Sequence, residues 1–291
     1  IINNYKIKTN QFFLTGDLGF MALEEVQKTF SNRFINAGIA EQNMVNVAAA
    51  LAKDGFIPWI YSITPFVVLR PFEQIRNNIG LHNLPVKIAG NGGGFGYGIM
   101  GATHHCIEDI GVMKMIPNME VFIPFTASDV HEIVYEMIHN MHPNYLRLNK
   151  VANIPYPIEK FKTWRKIKSG NKAVIIGTGT VLANIFNFPD LIEDVEVWLV
   201  SKFPIVHLPE ELIKSITISK KILTIEEHIA TGGLGENIAK ICMEDLSFKT
   251  HFKALHIQGY LSGKYGSQQW HLEENGLSGN TLKNNLESFL C

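Results

Sequence analysis

Apolar runs of strand length alternate with amphipathic runs of helix length along most of the chain. Continuous apolar runs, such as those within Met119–Phe125 and Ala173–Gly177, are typical of strands that a parallel sheet buries on both faces. The alternation predicts an α/β protein built from open parallel sheets. The other predicted strands are Ile57–Tyr61, Val86–Gly90, Tyr145–Asn149, Val195–Val200, Lys221–Glu226 and Phe252–Gln258. The predicted helices are Glu41–Lys53, Phe66–Ile79, His104–Met115, Ser128–Asn140, Pro209–Ser215 and Gly235–Asp245.

One segment interrupts this alternation. Val151–Lys172 carries two prolines and a cluster of positive charge, with little periodicity. A chain of 291 residues corresponds to about two domains at roughly 150 residues per domain. We therefore expect two open parallel-sheet domains, at residues 1–155 and 172–291, joined by a linker at residues 156–171.

The composition narrows the class of protein. Lys and Arg number 26 and Asp and Glu 27, so the net charge of −1 lacks the basic excess that a nucleic-acid partner requires. No stretch approaches the roughly 20 apolar residues of a membrane span, and the polar first residues differ from a secretory signal. Three widely spaced cysteines indicate neither a disulfide framework nor a metal site. These features predict a cytoplasmic protein without a nucleic-acid or membrane partner.

The first candidate for chemistry is Glu41, where a loop turns into the apolar helix Glu41–Lys53. A carboxylate at this position complements the positive helix N-terminus, a contribution of about 0.3–1 kcal/mol. The alternative is a carboxyl group held in an apolar setting so that it exchanges a proton with a ligand nitrogen. The sequence leaves both interpretations open.

The second candidate is the glycine-rich segment Gly90–Gly101, in which seven of twelve residues are glycine. Such a loop after a strand allows the backbone to approach a ligand closely. We expect Thr103 to cap the following helix and His104 to project from its start, at the carboxyl edge of the sheet where open α/β folds bind ligands. A flexible loop with a solvated histidine is the alternative. Metal binding is disfavoured because His104 and His105 point apart on a helix.

Two further segments have mainly structural interpretations. Gly177–Gly179 resembles a dinucleotide-binding turn, but the next strand ends at Ser201–Lys202, where an NAD site needs an acidic residue. A tight strand-to-helix turn is preferred there. Glu226–His228 is interpreted as a hydrogen-bonded cluster at a strand end, with a catalytic Glu–His pair as the alternative.

Motifs in five segments, taken in their order and spacing, resemble the transketolase family of thiamine diphosphate enzymes. The segments are Gly16–Phe20, Arg33–Val45, Gly101–Asp109, Pro117–Pro124 and Glu226–Glu236. The chain resembles the pyrimidine-binding domain followed by the C-terminal domain of that family. Deoxyxylulose phosphate synthase contains the same half, and the beta subunit of 2-oxo acid dehydrogenases is a more distant relative.

The resemblance implies a catalytic role for two residues. Glu41 matches the family glutamate that hydrogen-bonds the aminopyrimidine of the cofactor and so promotes loss of the thiazolium proton. His104 matches the histidine that lies near the reacting carbon and donates to a substrate oxygen. The resemblance therefore implies thiamine diphosphate as cofactor and transfer of a two-carbon ketol or related acyl unit to a sugar or keto acceptor.

The resemblance also implies binding residues. Phe66 matches the aromatic residue that packs on the pyrimidine, Arg70 lies in the segment that follows it, and Asp17 matches an aspartate near the thiazolium ring. Lys150 corresponds to a phosphate-binding arginine, although a lysine binds phosphate as a point charge without the bidentate fork.

Three positions differ from the family pattern. Met100 replaces an aspartate that reads a sugar hydroxyl, an upstream substrate histidine falls near Gly92, and Lys150 replaces the arginine. We therefore expect intact cofactor activation with an unusual sugar phosphate or keto substrate.

The family also needs a diphosphate-binding domain, whose GDG segment and downstream asparagine hold Mg²⁺, and this sequence lacks that segment. The resemblance therefore implies a separate diphosphate-binding subunit that carries most of the Mg²⁺ ligands, with no metal ligands here. A homodimer within an α2β2 heterotetramer is expected, active only with the partner. The alternatives are the beta subunit of a 2-oxo acid dehydrogenase, a deoxyxylulose phosphate synthase-like enzyme, or a non-catalytic binding or regulatory subunit.

Overall fold

The structure is a computed structural model that describes residues 1–5, 9–245 and 250–290 of the chain. Within these ranges the strands are β1 (Gln11–Thr15), β2 (Phe34–Asn36), β3 (Ile57–Ile63), β4 (Lys87–Asn91), β5 (Glu120–Phe122), β6 (Asn144–Leu148), β7 (Trp164–Lys168), β8 (Ala173–Thr178), β9 (Val195–Val200), β10 (Lys202–Phe203), β11 (Lys221–Ile229) and β12 (His251–Ile257).

The helices alternate with these strands over the described residues. They are α1 (Ile2–Tyr5), α2 (Glu24–Phe30), α3 (Glu41–Lys53), α4 (Thr64–Val68), α5 (Phe72–Gln74), α6 (Asp109–Lys114), α7 (Ala127–His139), α8 (Glu210–Ser219), α9 (Leu234–Asp245), α10 (Gln268–Glu274) and α11 (Gly279–Leu290). Short 3₁₀ turns occupy Ser31–Arg33, Gly98–Met100 and Thr180–Asn187, and a π-helical turn occupies Ile75–Gly80.

The first sheet has the strand order β10-β5-β6-β4-β3-β1-β2. All neighbouring pairs are parallel except β10 and β5. Because the parallel strands run in one direction, the loops that follow β1 to β4 emerge at a single carboxyl edge. The segments that contain Asp17, Glu41, Phe66 and the glycine-rich loop all start at this edge.

The second sheet has the strand order β12-β11-β8-β9-β7, and only β7 is antiparallel to its neighbour. Every residue of β8 and β9 is buried, as expected for central strands with helices on both faces. The fold class is thus the predicted one, with two mostly parallel α/β sheets.

The two sheets are joined by packing and by one strand. A buried apolar cluster contains Ile60 and Ile88 of the first sheet together with Val174 and Ile176 of the second. Strand β10 follows β9 in the chain, yet it pairs with β5 at the edge of the first sheet. The junction between the two sheets is therefore part of the folded core.

Local sequence accounts for the helices beside the site. Helix α3 buries one stripe that includes Met44, Ala48 and Ala52, and its alanines allow close approach to the sheet. Helix α7 begins with a capping box in which Thr126 and Asp129 satisfy each other's backbone N–H groups. No helix of the described residues is long and apolar enough to cross a membrane.

Several sequence-based boundaries differ from the structure, and three of the differences change an interpretation. The helix predicted to begin at His104 begins at Asp109. Thr103 therefore does not cap this helix, and its side chain hydrogen-bonds His104. The helix predicted at Phe66–Ile79 is divided at Pro71, which lacks a backbone N–H. The predicted linker contains strand β7, while the domain boundaries themselves stay a prediction.

Candidate functional site

Glu41 is the first residue of α3 and is only 4% exposed. Its Oε1 atom accepts from Nη1 of Arg70 at 2.8 Å. Among the described residues its second carboxylate oxygen accepts no hydrogen bond. The residue before it is Ala40, which has no side chain able to cap the helix, so the N-terminus of α3 stays open beside the carboxylate.

Phe66 connects Glu41 to His104. The guanidinium of Arg70 lies over the Phe66 ring, with Cζ 4.3 Å from the ring centroid. The imidazole of His104 meets the same ring edge-on, with centroids 5.3 Å apart. The structure therefore brings four of the predicted site residues, Glu41, Phe66, Arg70 and His104, into one continuous group.

His104 lies on the glycine-rich loop rather than on a helix. Its Nδ1 atom hydrogen-bonds Oγ1 of Thr103 at 2.9 Å, which leaves Nε2 for a ligand. The ring of Tyr97 is its second aromatic neighbour, at 6.1 Å between centroids. The Tyr97 hydroxyl accepts from the amide of Asn91 at 3.0 Å. His104 is thus half-buried between two aromatic rings, with one nitrogen already occupied.

Asp17 lies at the same edge of the sheet but outside this group. It is exposed, and its Oδ1 accepts from the amide of Asn36 at 3.1 Å. Its backbone N–H donates to the carbonyl of Gly38, three residues before Glu41. The loops after β1 and β2 are therefore tied together, which places Asp17 near the Glu41 loop without a direct contact.

Lys150 is also not brought into the group. It follows β6, is exposed, and its ammonium makes no hydrogen bond or ion pair with any described residue. A phosphate-binding role for it stays a prediction.

The sequence reasoning missed a buried ionic network beneath the glycine-rich loop. Arg147 is 4% exposed, and its Nε donates to Asp109 at 2.8 Å, while Tyr145 donates to the same carboxylate at 2.7 Å. Burial disfavours the charge of Arg147, but the carboxylates of Asp109 and Glu227 outweigh this and raise its pKa. The available signal was a charged residue between two leucines, Leu146 and Leu148, in strand β6.

The Glu226–His228 cluster lies on β11 and is buried, as the structural interpretation expected. Burial raises the pKa of Glu226 to about 7, although two backbone amides at the start of α9 donate to it. Burial also raises the pKa of Glu227 and lowers that of His228. In the described part of the chain, no group of three or more His, Cys, Asp or Glu side chains is arranged to hold a metal ion.

The fold and the site together define a class. The chain is a two-sheet α/β protein with a buried carboxylate, an arginine, an aromatic ring and a histidine grouped at the carboxyl edge of its first sheet. The family model described as "Transketolase, pyrimidine binding domain" matches residues 10–153, and that described as "Transketolase, C-terminal domain" matches residues 162–281. The chain belongs to the transketolase family.

Individual relatives agree with this assignment. One subunit of the apulose-4-phosphate transketolase of Actinobacillus succinogenes is 30% identical over 232 residues, which cover 75% of this chain and 72% of that protein. A solved structure described as a split gene transketolase, inactive beta4 tetramer, is similar with a TM-score of 0.81 and 27% identity, covering 99% of this chain and 94% of that one. The 1-deoxy-D-xylulose-5-phosphate synthase of Aquifex aeolicus is 28% identical over 74% of this chain, but this corresponds to only 35% of that protein.

Proposed function

We propose that the chain is the pyrimidine-binding subunit of a split, thiamine diphosphate-dependent transketolase-like enzyme. In this proposal it transfers a two-carbon ketol unit to a sugar or keto acceptor and works with a separate diphosphate-binding subunit. One observation carries the proposal. Contacts link Glu41, Arg70, Phe66 and His104 into one group, and the carboxylate of Glu41 keeps one oxygen free.

The residues fit the aminopyrimidine ring of thiamine diphosphate. A planar heterocycle with nitrogen atoms at its edge needs a hydrogen-bonding carboxyl group there and an aromatic partner for its face. Glu41 supplies the first through its unoccupied oxygen, and Phe66, which Arg70 links to Glu41, supplies the second. When bound, thiamine diphosphate supplies a carbon nucleophile and an electron sink.

Each residue of the group then has a distinct task. Glu41 would hydrogen-bond a ring nitrogen of the cofactor through its free carboxylate oxygen and share a proton with it. Arg70 fixes the carboxylate through the 2.8 Å ion pair. His104 donates from Nε2 to a carbonyl or hydroxyl oxygen of the substrate, since Thr103 occupies Nδ1. Outside the group, Asp17 accepts from the amide of Asn36 at the end of β2, and Lys150 offers an unpaired charge to a substrate phosphate.

The surface at the carboxyl edge of the first sheet is consistent with binding of a partner subunit. Several large apolar side chains are exposed on the loops that follow β1, β2 and β4. They are Phe20 (90% exposed), Met21 (83%), Ile39 (83%), Ile99 (77%) and Met100 (54%). Apolar side chains grouped at one edge are typical of a protein interface. We propose that the diphosphate-binding subunit covers this edge and supplies the Mg²⁺ ligands, within an α2β2 assembly.

A second candidate function has a specific observation behind it. Relatives named 1-deoxy-D-xylulose-5-phosphate synthase match most of the chain at 26–28% identity. This favours an acyl-carbon transfer from a keto acid as the alternative, with the same role for Glu41. Donor assays with a ketose phosphate and with pyruvate separate the two.

The test is the Glu41→Gln variant in a complex reconstituted with the separate subunit. We expect turnover to fall by roughly 10²–10⁴, because an amide cannot exchange the proton. Glu73→Gln is the matched control, since Glu73 is exposed on α5 close to Arg70 in the chain. Turnover by Glu41→Gln equal to wild type would favour a binding or regulatory subunit. Turnover by this chain alone with added cofactor would contradict the split-subunit proposal.

A further inference from the structure

The loop that carries His104 is closed at its base. Gly94 and Cys106 exchange two backbone hydrogen bonds, with N···O distances of 2.6 and 3.0 Å. Residues 95–105 therefore form a single loop that leaves and returns at one point, and His104 lies two residues from that point. The position of His104 depends on how firmly the base of the loop is held.

The base is held by Glu227, which belongs to the second sheet. Glu227 is 3% exposed, and its Oε1 accepts from the backbone N–H of Phe95 at 2.8 Å. Gln268 donates to the same oxygen at 2.9 Å, and Asn149 donates to Oε2 at 3.3 Å. Burial raises the pKa of Glu227, and the charge of Arg147 opposes that shift. Glu227 thus accepts from three donors and joins the first residue of the loop to the C-terminal domain.

The base of the glycine-rich loop packs tightly against the side chains beneath it. A Cβ atom at Gly94 would lie 2.6 Å from the carboxyl carbon of Glu227, and a Cβ at Gly93 would lie 2.6 Å from Nε of Arg147. The far side of the loop is also held, because His105 donates from Nε2 to the carbonyl of Gly98 at 2.7 Å. Glycine at the base of the loop is therefore required by the side chains packed against it.

A second contact from the C-terminal domain acts on the same loop. Since Nε2 of His105 donates to a carbonyl, its Nδ1 is the acceptor for the hydroxyl of Tyr260 at 3.1 Å. The His105 and Tyr260 rings also stack, with centroids 5.7 Å apart. The loop is thus anchored to the C-terminal domain twice, by Glu227 at its base and by Tyr260 through His105, the residue next to His104.

We propose that Glu227 is a positioning residue for His104, acting through the Phe95 amide at the base of the loop. The proposal rests on the proposed function, in which His104 contacts the substrate. It assigns the C-terminal domain a part in the reaction, namely holding a residue of the first domain in its working position. A group held in place before the substrate arrives loses less entropy in the transition state, so loosening the loop slows turnover.

The chain provides a matched control in the adjacent residue. Glu226 is also fully buried on β11 and also accepts backbone N–H groups. Its donors are Leu234 and Gly235 at the start of α9, inside the C-terminal domain, and not the glycine-rich loop. Glu226→Ala therefore removes a comparable buried carboxylate without releasing the loop.

The experiment compares Glu227→Ala, Glu227→Gln and Glu226→Ala in the full chain. Hydrogen exchange reports on the amide of Phe95, and ¹³C-histidine NMR reports on the imidazole of His104. We expect Glu227→Ala to speed exchange by about tenfold or more and to shift or broaden the His104 resonance. Glu227→Gln keeps an oxygen acceptor, so the Phe95 exchange rate and the His104 resonance should both stay close to wild type. Glu226→Ala should change neither. Wild-type-like behaviour of Glu227→Ala, or the same change in Glu226→Ala, would overturn the proposal.

Kinetics of the reconstituted complex supply the second readout. We expect kcat of Glu227→Ala to fall by about ten- to a hundredfold, with the affinity for thiamine diphosphate unchanged, because Glu41 is not affected. A loosened loop with an unchanged kcat would also overturn the proposal. An inactive wild-type complex would instead contradict the proposed function, and the exchange and resonance measurements would still decide whether Glu227 fixes His104.

Discussion

Arg70 and Glu41 form an ion pair in which the two partners differ greatly in exposure. The Nη1–Oε1 distance is 2.8 Å, and the side chain of Glu41 is 5% exposed while that of Arg70 is 43% exposed. An arginine at the surface therefore orients a carboxylate that is almost entirely buried. The same guanidinium covers Phe66, so one side chain fixes two residues of the candidate site.

Arg70→Ala should impair cofactor binding more than folding. Loss of the half-exposed pair should cost about 0.2–1 kcal/mol of unfolding free energy, because solvent screens it. The free carboxylate of Glu41 loses its fixed position, so we expect the affinity for thiamine diphosphate and kcat each to fall by about tenfold. Titration calorimetry and steady-state kinetics of the reconstituted complex measure the two effects. Arg76→Ala, an exposed arginine on the same segment, should change neither. Equal losses in the two variants would contradict a specific role for Arg70.

The buried pair of Arg147 and Asp109 should dominate stability at the base of the site. Arg147→Met leaves the Asp109 carboxylate buried without its cation, so we expect the unfolding free energy to fall by about 3–5 kcal/mol. The double variant with Asp109→Asn should recover part of this loss, since the charge of Asp109 is removed together with its cation. Urea unfolding of the single and double variants measures the coupling. Additive losses would show that the two side chains act independently.

Gly94→Ala should destabilise the chain and lower its activity together. Gly94 has φ of +65°, and an added Cβ would lie 2.6 Å from the Glu227 carboxyl carbon. We expect a loss of roughly 2–4 kcal/mol in unfolding free energy, from backbone strain and overpacking combined. Gly55→Ala is the control, because Gly55 has φ of +87° with no atom within 4 Å of the added Cβ. The unfolding free energy of the Gly55→Ala variant should fall by only roughly 1 kcal/mol, the cost of a left-handed backbone at alanine, and its kcat should be unchanged. Similar results for both variants would mean that contact with Glu227 is unimportant.

Glu226 should make the chain less stable as the pH rises. Burial raises its folded-state pKa from 4.5 to about 7, despite the opposing charges of Lys114 and Arg147. Between these values the folded state binds more protons than the unfolded state. The contribution of Glu226 is therefore fully present below pH 4.5 and is lost as the pH rises to about 7.

The Glu226→Gln variant isolates this effect, because every other titrating group is common to both proteins. Across that pH range the wild type should lose up to about 3 kcal/mol of unfolding free energy relative to the variant. Urea unfolding at a series of pH values gives the difference. Parallel pH profiles for the two proteins would contradict the prediction.

The sequence determined the fold class and the main elements of the candidate site. Apolar runs at strand spacing predict two parallel sheets because buried central strands need apolar residues on both faces. The structure has these sheets, and β9 lies at the predicted residues Val195–Val200. The motifs around Glu41 and His104 singled out two residues that Arg70 and Phe66 link in the structure.

Only the tertiary structure decided which polar residues act together. Strand β7 was missed because its buried position Arg165 is charged, and the partner that neutralises it, Asp129, lies 36 residues away in the chain. The contact between Glu227 and the amide of Phe95 spans 132 residues. Local sequence determines backbone preference and burial periodicity, whereas pairing between distant polar groups depends on how two sheets pack. For this reason the sequence singled out His104 as a candidate, and only the packed domains place Glu227 at the base of the loop that carries it.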